Sequence, residues 1–217
     1  MKKFNQNLLV CMLTGLLTAC ATTKPIAYRH LASSPYLKEN HNKKEYKEPY
    51  VYKTEVNWKS YNRAIIVPVE IYQGQDHQFT DLDKQQQQEL AQYMQQKFEE
   101  ALSNRFQMVS TLQPKTLVIK LVLTGATKTN TFLGPMTKFD LGGSLYNGVQ
   151  SIRGKEGAFM GAVMYVVEIY DAKNQQLIEA KVVKQYPNSY NIGASFGALK
   201  AAKVGIEKGA EELAHDF

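Results

Sequence analysis

Residues 158–170 are apolar on both alternating faces, with Phe159, Val163, Tyr165, Val167 and Ile169 on one and Met160, Met164 and Val166 on the other. A strand of that kind is covered on both sides. This chain therefore cannot fold as a sheet with one face open to water at that strand. Asp171-Ala172-Lys173-Asn174 reads as a turn and residues 177–186 as the returning arm, so the strand is half of a hairpin.

The remaining elements follow from periodicity. Residues 63–72 read as a strand with Ile65, Val67, Val69 and Ile71 on one face. Pro68 lacks the donor a central ladder needs, which places that strand at an edge or a bulge. Thr80 with Asp83 three residues on reads as a capping box ahead of a long helix to about residue 104. Leu90, Met94, Phe98 and Leu102 recur in steps of four along it, with Tyr93 and Ala101 beside them and glutamines on the wet side. Strands at 106–112 and 117–127 come next, the second with Leu117, Ile119, Leu121 and Leu123 on a shared face. A last helix over 194–215 carries Phe196, Leu199, Ile206 and Leu213 on a stripe that continues to Phe217. The order β-α-β-β, a glycine-rich segment, then β-β-α predicts an α+β fold, with two helices on one face of a mixed or antiparallel sheet. Near the hairpin the other face needs cover from the N-terminal segment, the glycine-rich segment or a partner.

The N-terminus sets location. Lys2 and Lys3 precede an apolar run over 8–17, closed by Leu17-Thr18-Ala19-Cys20. The run is too short for a bilayer core of about 30 Å and fits a secretory signal. All four closing positions resemble the lipobox of bacterial lipoproteins. The resemblance implies removal of residues 1–19, diacylglycerol on the Cys20 thiol and an acyl chain such as palmitate on its amino group. More than one chain gives stable anchoring. Ala21 in place of Asp implies, by the same resemblance, retention at the outer membrane on its periplasmic side. No other cofactor is expected. Cys11 leaves with the signal and Cys20 is acylated, which excludes disulfide, thiolate-zinc and cysteine-nucleophile chemistry.

The mature 198 residues suit one ordinary domain, expected over 63–217, behind a lipid-anchored tether over 20–62. Residues 20–63 hold nine Lys or Arg against four Glu, whereas 64–217 hold fifteen against sixteen acids. The basic excess thus sits in the tether, where it either attracts an anionic surface or keeps a linker solvated. Stretched, about forty such residues would reach on the order of 130 Å, or roughly 35 Å as a coil, so the tether reads as a spacer. Its six tyrosines are more than a linker needs, which predicts that part of it packs on the domain or a partner.

With the lipobox, Ile66-Val67-Pro68-Val69 before a long helix, and a hydrophobic strand running into Asp171 ahead of Leu177-Ile178-Glu179-Ala180, the chain resembles the Gram-negative lipoproteins grouped as domain of unknown function 3313. That family often carries Thr-Gly in the hairpin turn, where this chain has Asn174-Gln175. The resemblance implies an envelope lipoprotein and brings no catalytic or ligand residues with it.

Gly193-Ala194-Ser195-Phe196-Gly197 matches the G-x-S-x-G nucleophile elbow. Only His215 follows it, about twenty residues along the same expected helix and thus roughly 30 Å away. A small periplasmic serine hydrolase using Ser195 is therefore the alternative and not the main reading. Gly193, Gly197, Ala201, Gly205 and Gly209 form a smooth ridge that either packs closely on the sheet or meets another protomer. Residues 134–161 place seven glycines among apolar side chains including Leu141, Leu145, Tyr146 and Phe159. Such a long segment is either a contact loop for a partner or lipid, or a folded connection. His30, His41 and His77 make no metal site by spacing, and the near-neutral domain argues against nucleic acid.

The sequence is thus read as an outer-membrane lipoprotein facing the periplasm. Its domain binds an envelope protein or cell-wall partner without catalysis. Contacts are expected at Leu141, Leu145, Tyr146, Phe159, Gly193, Gly197, Gly205 and Gly209. Homo-oligomerisation, as in a ring-forming component of a transport or secretion assembly, is a further alternative.

Overall fold

The computed structural model describes residues 24–42, 44, 46–128, 161–187 and 197–217. The strands are β1 (Lys38–Glu39), β2 (Tyr50–Lys53), β3 (Arg63–Ile66), β4 (Glu70–Ile71), β5 (Gln78–Thr80), β6 (Gln107–Met108), β7 (Thr116–Thr127), β8 (Ala162–Asp171) and β9 (Leu177–Gln185). Two helices accompany them among the described residues, α1 (Lys84–Ser103) and α2 (Lys200–His215). Among the described residues all nine strands join one mixed sheet in the order β1-β2-β9-β8-β7-β3-β6, with β4 and β5 also on β7. The fold is α+β.

Pro68 divides the strand expected over 63–72. β3 and β4 both run parallel to β7, and between them the Val69 N–H donates to Gln95 Oε1 at 3.0 Å instead of to a ladder. The break also resets the facing: Ala64 and Ile66 are the buried core residues of β3, and Ile65 and Val67 are only partly covered. The capping box lies three residues later than Thr80 predicts. Asp83 is the N-cap and exchanges bonds with Gln86, because Thr80 is held in β5 and Asp81 turns the chain at φ 56°. From there Leu90, Met94, Phe98 and Leu102 are buried as their spacing requires.

Leu117, Ile119, Leu121 and Leu123 of β7, with Val163, Tyr165, Val167 and Ile169 of β8, form the main core under both helices. The other face is the decisive one. Val122, Val166, Val182 and Tyr50 stand in register across β7, β8, β9 and β2. Tyr28, Leu31, Leu37 and Tyr72 pack over that row. Tyr28 is wholly buried and its ring meets that of Tyr72 at 5.2 Å, edge-on. The cover demanded by the doubly apolar strand is therefore the N-terminal segment itself.

That finding moves the boundary expected at residue 63. Residues 24–42, 44 and 46–62 lie on the domain, and β2 is a full member of its sheet, antiparallel to β9. Composition read them as a spacer because their apolar side chains are aromatic and scattered among lysines. Burial of those side chains outweighs the solvation of the intervening charges.

Candidate functional site

One pole of the sheet gathers the chain segments that the sequence marks. β7 ends there at Thr127, paired with Ala162 at the start of β8 and Thr80 at the end of β5. β9 ends there as well, with Gln185 opposite Val163. Both helices begin at this pole, since α1 follows β5 and a Cβ on Gly205 of α2 would lie 3.0 Å from Val163. The chain accordingly leaves and re-enters this pole at residues 128, 161, 187 and 197.

Lys24 lies at the same pole. Gln78 Nε2 donates to the Lys24 carbonyl at 2.7 Å, and Gln78 Oε1 accepts from the Tyr28 hydroxyl at 2.7 Å. Gln78 is placed by a close approach: it pairs with Gly125, where a Cβ would stand 2.5 Å from the Gln78 carbonyl oxygen. A glycine is required there. The register shift of β7 against β8 between Leu123 and Gly125 is the bulge that presents it. Burial drives the Tyr28 hydroxyl pKa well above the usual phenol range, so it remains a donor to Gln78.

The sequence-marked residues divide clearly. Cys20, Leu141, Leu145, Tyr146, Phe159, Gly193 and Ser195 lie outside the described residues. Gly197 is exposed at this pole with φ 95°, and its carbonyl accepts from the Lys200 N–H at 3.2 Å. Gly205 and Gly209 are corrected: they lie under the sheet and not on a contact surface. A Cβ at Gly209 would fall 2.0 Å from the Tyr165 hydroxyl, and one at Gly205 would fall 2.9 Å from the Gln185 carbonyl. The smooth ridge exists so that α2 can approach β8 and β9.

Sequence reasoning missed two polar clusters. On the second face, wholly buried Glu168 accepts from the Ser33 N–H at 2.8 Å and the Tyr170 hydroxyl at 2.7 Å. On the helix side, Lys181 Nζ reaches Asp216 Oδ2 at 2.5 Å and Glu48 Oε1 at 3.3 Å, while Lys47 Nζ pairs with Glu212 Oε1 at 2.8 Å. Burial alone would lower the Lys181 pKa, yet Glu48 and Asp216 raise it above its ordinary value. Burial opposes ionisation of Asp216 and Glu212 too, but Lys181 and Lys47 hold both below the usual carboxylate range. Both clusters fasten the N-terminal segment to the domain. The only sequence signal for them was the lone acids within apolar or basic runs.

Away from the pole, a groove of about 490 Å³ between the helices is lined by residues including Lys97, Arg105, Glu207 and His215. Glu207 accepts from the Tyr93 hydroxyl, whose pKa burial and that carboxylate push up to about 12. Two further clefts flank Tyr61, whose hydroxyl donates to Asp171 Oδ2 at 2.8 Å. Among the described residues no group of three or more His, Cys, Asp or Glu could hold a metal ion, and no helix is long and apolar enough to cross a membrane.

Residues 27–213 match the model of the family described as "Protein of unknown function (DUF3313)", and the chain belongs to that family. No curated protein matches it. Among solved structures it is similar to the PelC dodecamer from Paraburkholderia phytofirmans in two crystal forms, at 10% and 9% identity with TM-scores of 0.38 and 0.37. Each alignment covers 76% of this chain and 94% of that one. It is similar also to the hypothetical protein CT253 from Chlamydia trachomatis, at 8% identity and a TM-score of 0.35, covering 72% of this chain and 92% of that one.

Proposed function

We propose that this DUF3313 protein is an outer-membrane lipoprotein on the periplasmic side, anchored through Cys20, whose α+β domain binds an envelope partner and catalyses nothing. The observation that supports this reading is convergence: Lys24, four positions after Cys20, is fastened at the pole from which residues 128, 161, 187 and 197 lead into the other segments marked as contact surfaces. Of the acids at positions 207, 211, 212 and 216, on which a Ser195 hydrolase would draw, three are engaged elsewhere. Glu207 serves Tyr93, Glu212 serves Lys47, and Asp216 serves Lys181.

The test combines fractionation with crosslinking. Wild-type protein should incorporate labelled palmitate and sediment with outer membranes, and Cys20→Ala should do neither. Formaldehyde crosslinking in intact cells, purification and mass spectrometry should then return one dominant envelope complex. Recovery of wild type without label would overturn the anchor. Esterase or peptidase activity lost in Ser195→Ala would overturn the non-catalytic role.

A further inference from the structure

We infer that the pole carrying Lys24, Thr80 and Thr127 rests on the lipid headgroup surface of the membrane that holds the anchor, with the Asp171–Asn174 turn pointing away from it. This inference rests on lipidation at Cys20 and deepens that reading by fixing which part of the domain meets the lipid. The argument is one of reach. Three residues separate Cys20 from Lys24, so the two Cα atoms are at most about 14 Å apart. Lys24 itself is not free to wander: its carbonyl is bound by Gln78 at 2.7 Å, Gln78 is in β5, and Tyr28, four residues on, is wholly buried. The spacer of 20–62 expected from composition does not exist as a spacer. The described part of its chain from Lys24 onward packs on the domain, with Tyr28, Leu31, Leu37 and Tyr50 on the second face of the sheet and Val56, Trp58 and Tyr61 against the main core.

The other pole is out of range. β7 runs 12 residues from Thr116 to Thr127, placing the hairpin turn roughly 36 Å from Thr127. Leu112, 60% exposed, belongs to that far end, beside Lys173 in the cleft below Tyr61. At the near pole Ile26 is exposed next to exposed Lys24, and Lys84 and Lys200 open the two helices that start there. A pole that exposes an aliphatic side chain and several lysines fits the boundary between acyl chains and anionic headgroups. Acids at this end are partly spoken for, since Asp83 caps α1 and Asp76 accepts from Tyr72 and the Arg29 N–H. A short link also keeps the local concentration of lipid at this pole high, so weak contacts suffice to hold the orientation.

The experiment uses full-length lipidated protein in vesicles of phosphatidylethanolamine and phosphatidylglycerol containing a spin-labelled lipid. Acylated Cys20 leaves no other thiol, so Thr80→Cys and Lys173→Cys each accept a single fluorophore, and both sites are exposed. The expected result is several-fold stronger quenching at Thr80→Cys than at Lys173→Cys. Inserting a glycine-serine run of about fifteen residues between Thr23 and Lys24 adds roughly 20 Å of reach and should bring Thr80→Cys down toward the Lys173→Cys level. Equal quenching at the two sites in the uninserted protein, or stronger quenching at Lys173→Cys, overturns the orientation while leaving the anchor intact. Unchanged quenching after the insertion overturns the short link as its cause. Absence of vesicle binding by palmitate-labelled protein would instead defeat the anchor reading itself.

Discussion

The backbone N–H of Ser33 donates to Glu168 Oε1 at 2.8 Å, joining two wholly buried residues 135 positions apart. This bond and the Tyr170 hydroxyl on the other carboxylate oxygen fix the N-terminal segment to the second face of the sheet. A buried carboxylate is tolerated there because both oxygens are met by donors.

Glu168→Ala strands the buried Ser33 N–H and the partly buried Tyr170 hydroxyl at once. It should cost about 3 kcal/mol of unfolding free energy, whereas Glu168→Gln, which keeps one acceptor, should cost less. Urea denaturation of the two variants checks this, and equal losses would show that the acceptor retained in Glu168→Gln contributes nothing.

Gly209→Ala should destabilise by about 1 to 3 kcal/mol, because the new methyl meets the Tyr165 hydroxyl. The obstructing atom is that oxygen, at 2.0 Å, with the ring carbon behind it at 3.0 Å. Tyr165→Phe in the same chain should therefore recover part of the loss. A double-variant cycle in chemical denaturation measures the coupling, and strict additivity would contradict the contact.

Gly125→Val should displace Gln78 and with it the hold on Lys24. Trypsin cleavage after Arg29 should accelerate relative to wild type, with the rest of the domain cut at its former rate. Limited proteolysis followed by mass spectrometry reads both.

The charged cluster should make stability depend on pH at both ends. Asp216 and Glu212 have folded pKa values below their unfolded ones, so their contribution is complete above the ordinary carboxylate range and is lost as pH falls through the depressed values. Lys181 is raised, so its contribution is complete below its ordinary value of 10.5 and is lost as pH climbs through the raised one. Thermal melts across pH should show Asp216→Asn flattening the acid limb. An acid limb unchanged in that variant would place the sensitive groups elsewhere.

Much of the fold was legible because period and burial coincide. α1 carries its core residues at steps of four and β7 at steps of two, and each spacing admits one buried face. The doubly apolar β8 likewise announced a second covered face before any coordinates. The sequence could not say what covers it. Tyr28, Leu31, Leu37 and Tyr50 are spread over a lysine-rich stretch without a period, and their common destination is set by contacts with Val122, Val166 and Val182, which local pattern does not encode.

The candidate site was legible in pieces. Cys20 and the glycine-rich segment could be marked by residue type alone, but nothing local shows that strands ending at Thr80, Thr127 and Gln185 finish at one pole, or that Lys24 is tied there. The glycine ridge shows the same division. Spacing determined that one face of α2 is smooth, and only the positions of Tyr165 and Gln185 decided that this face turns inward. By itself the sequence determined α1, β7 and the β8–β9 hairpin with their apolar faces, because these depend on neighbours within a few residues. The tertiary structure decided that a basic, tyrosine-containing stretch is part of the sheet's second layer and not a spacer, because that outcome depends on burial against strands more than seventy residues away.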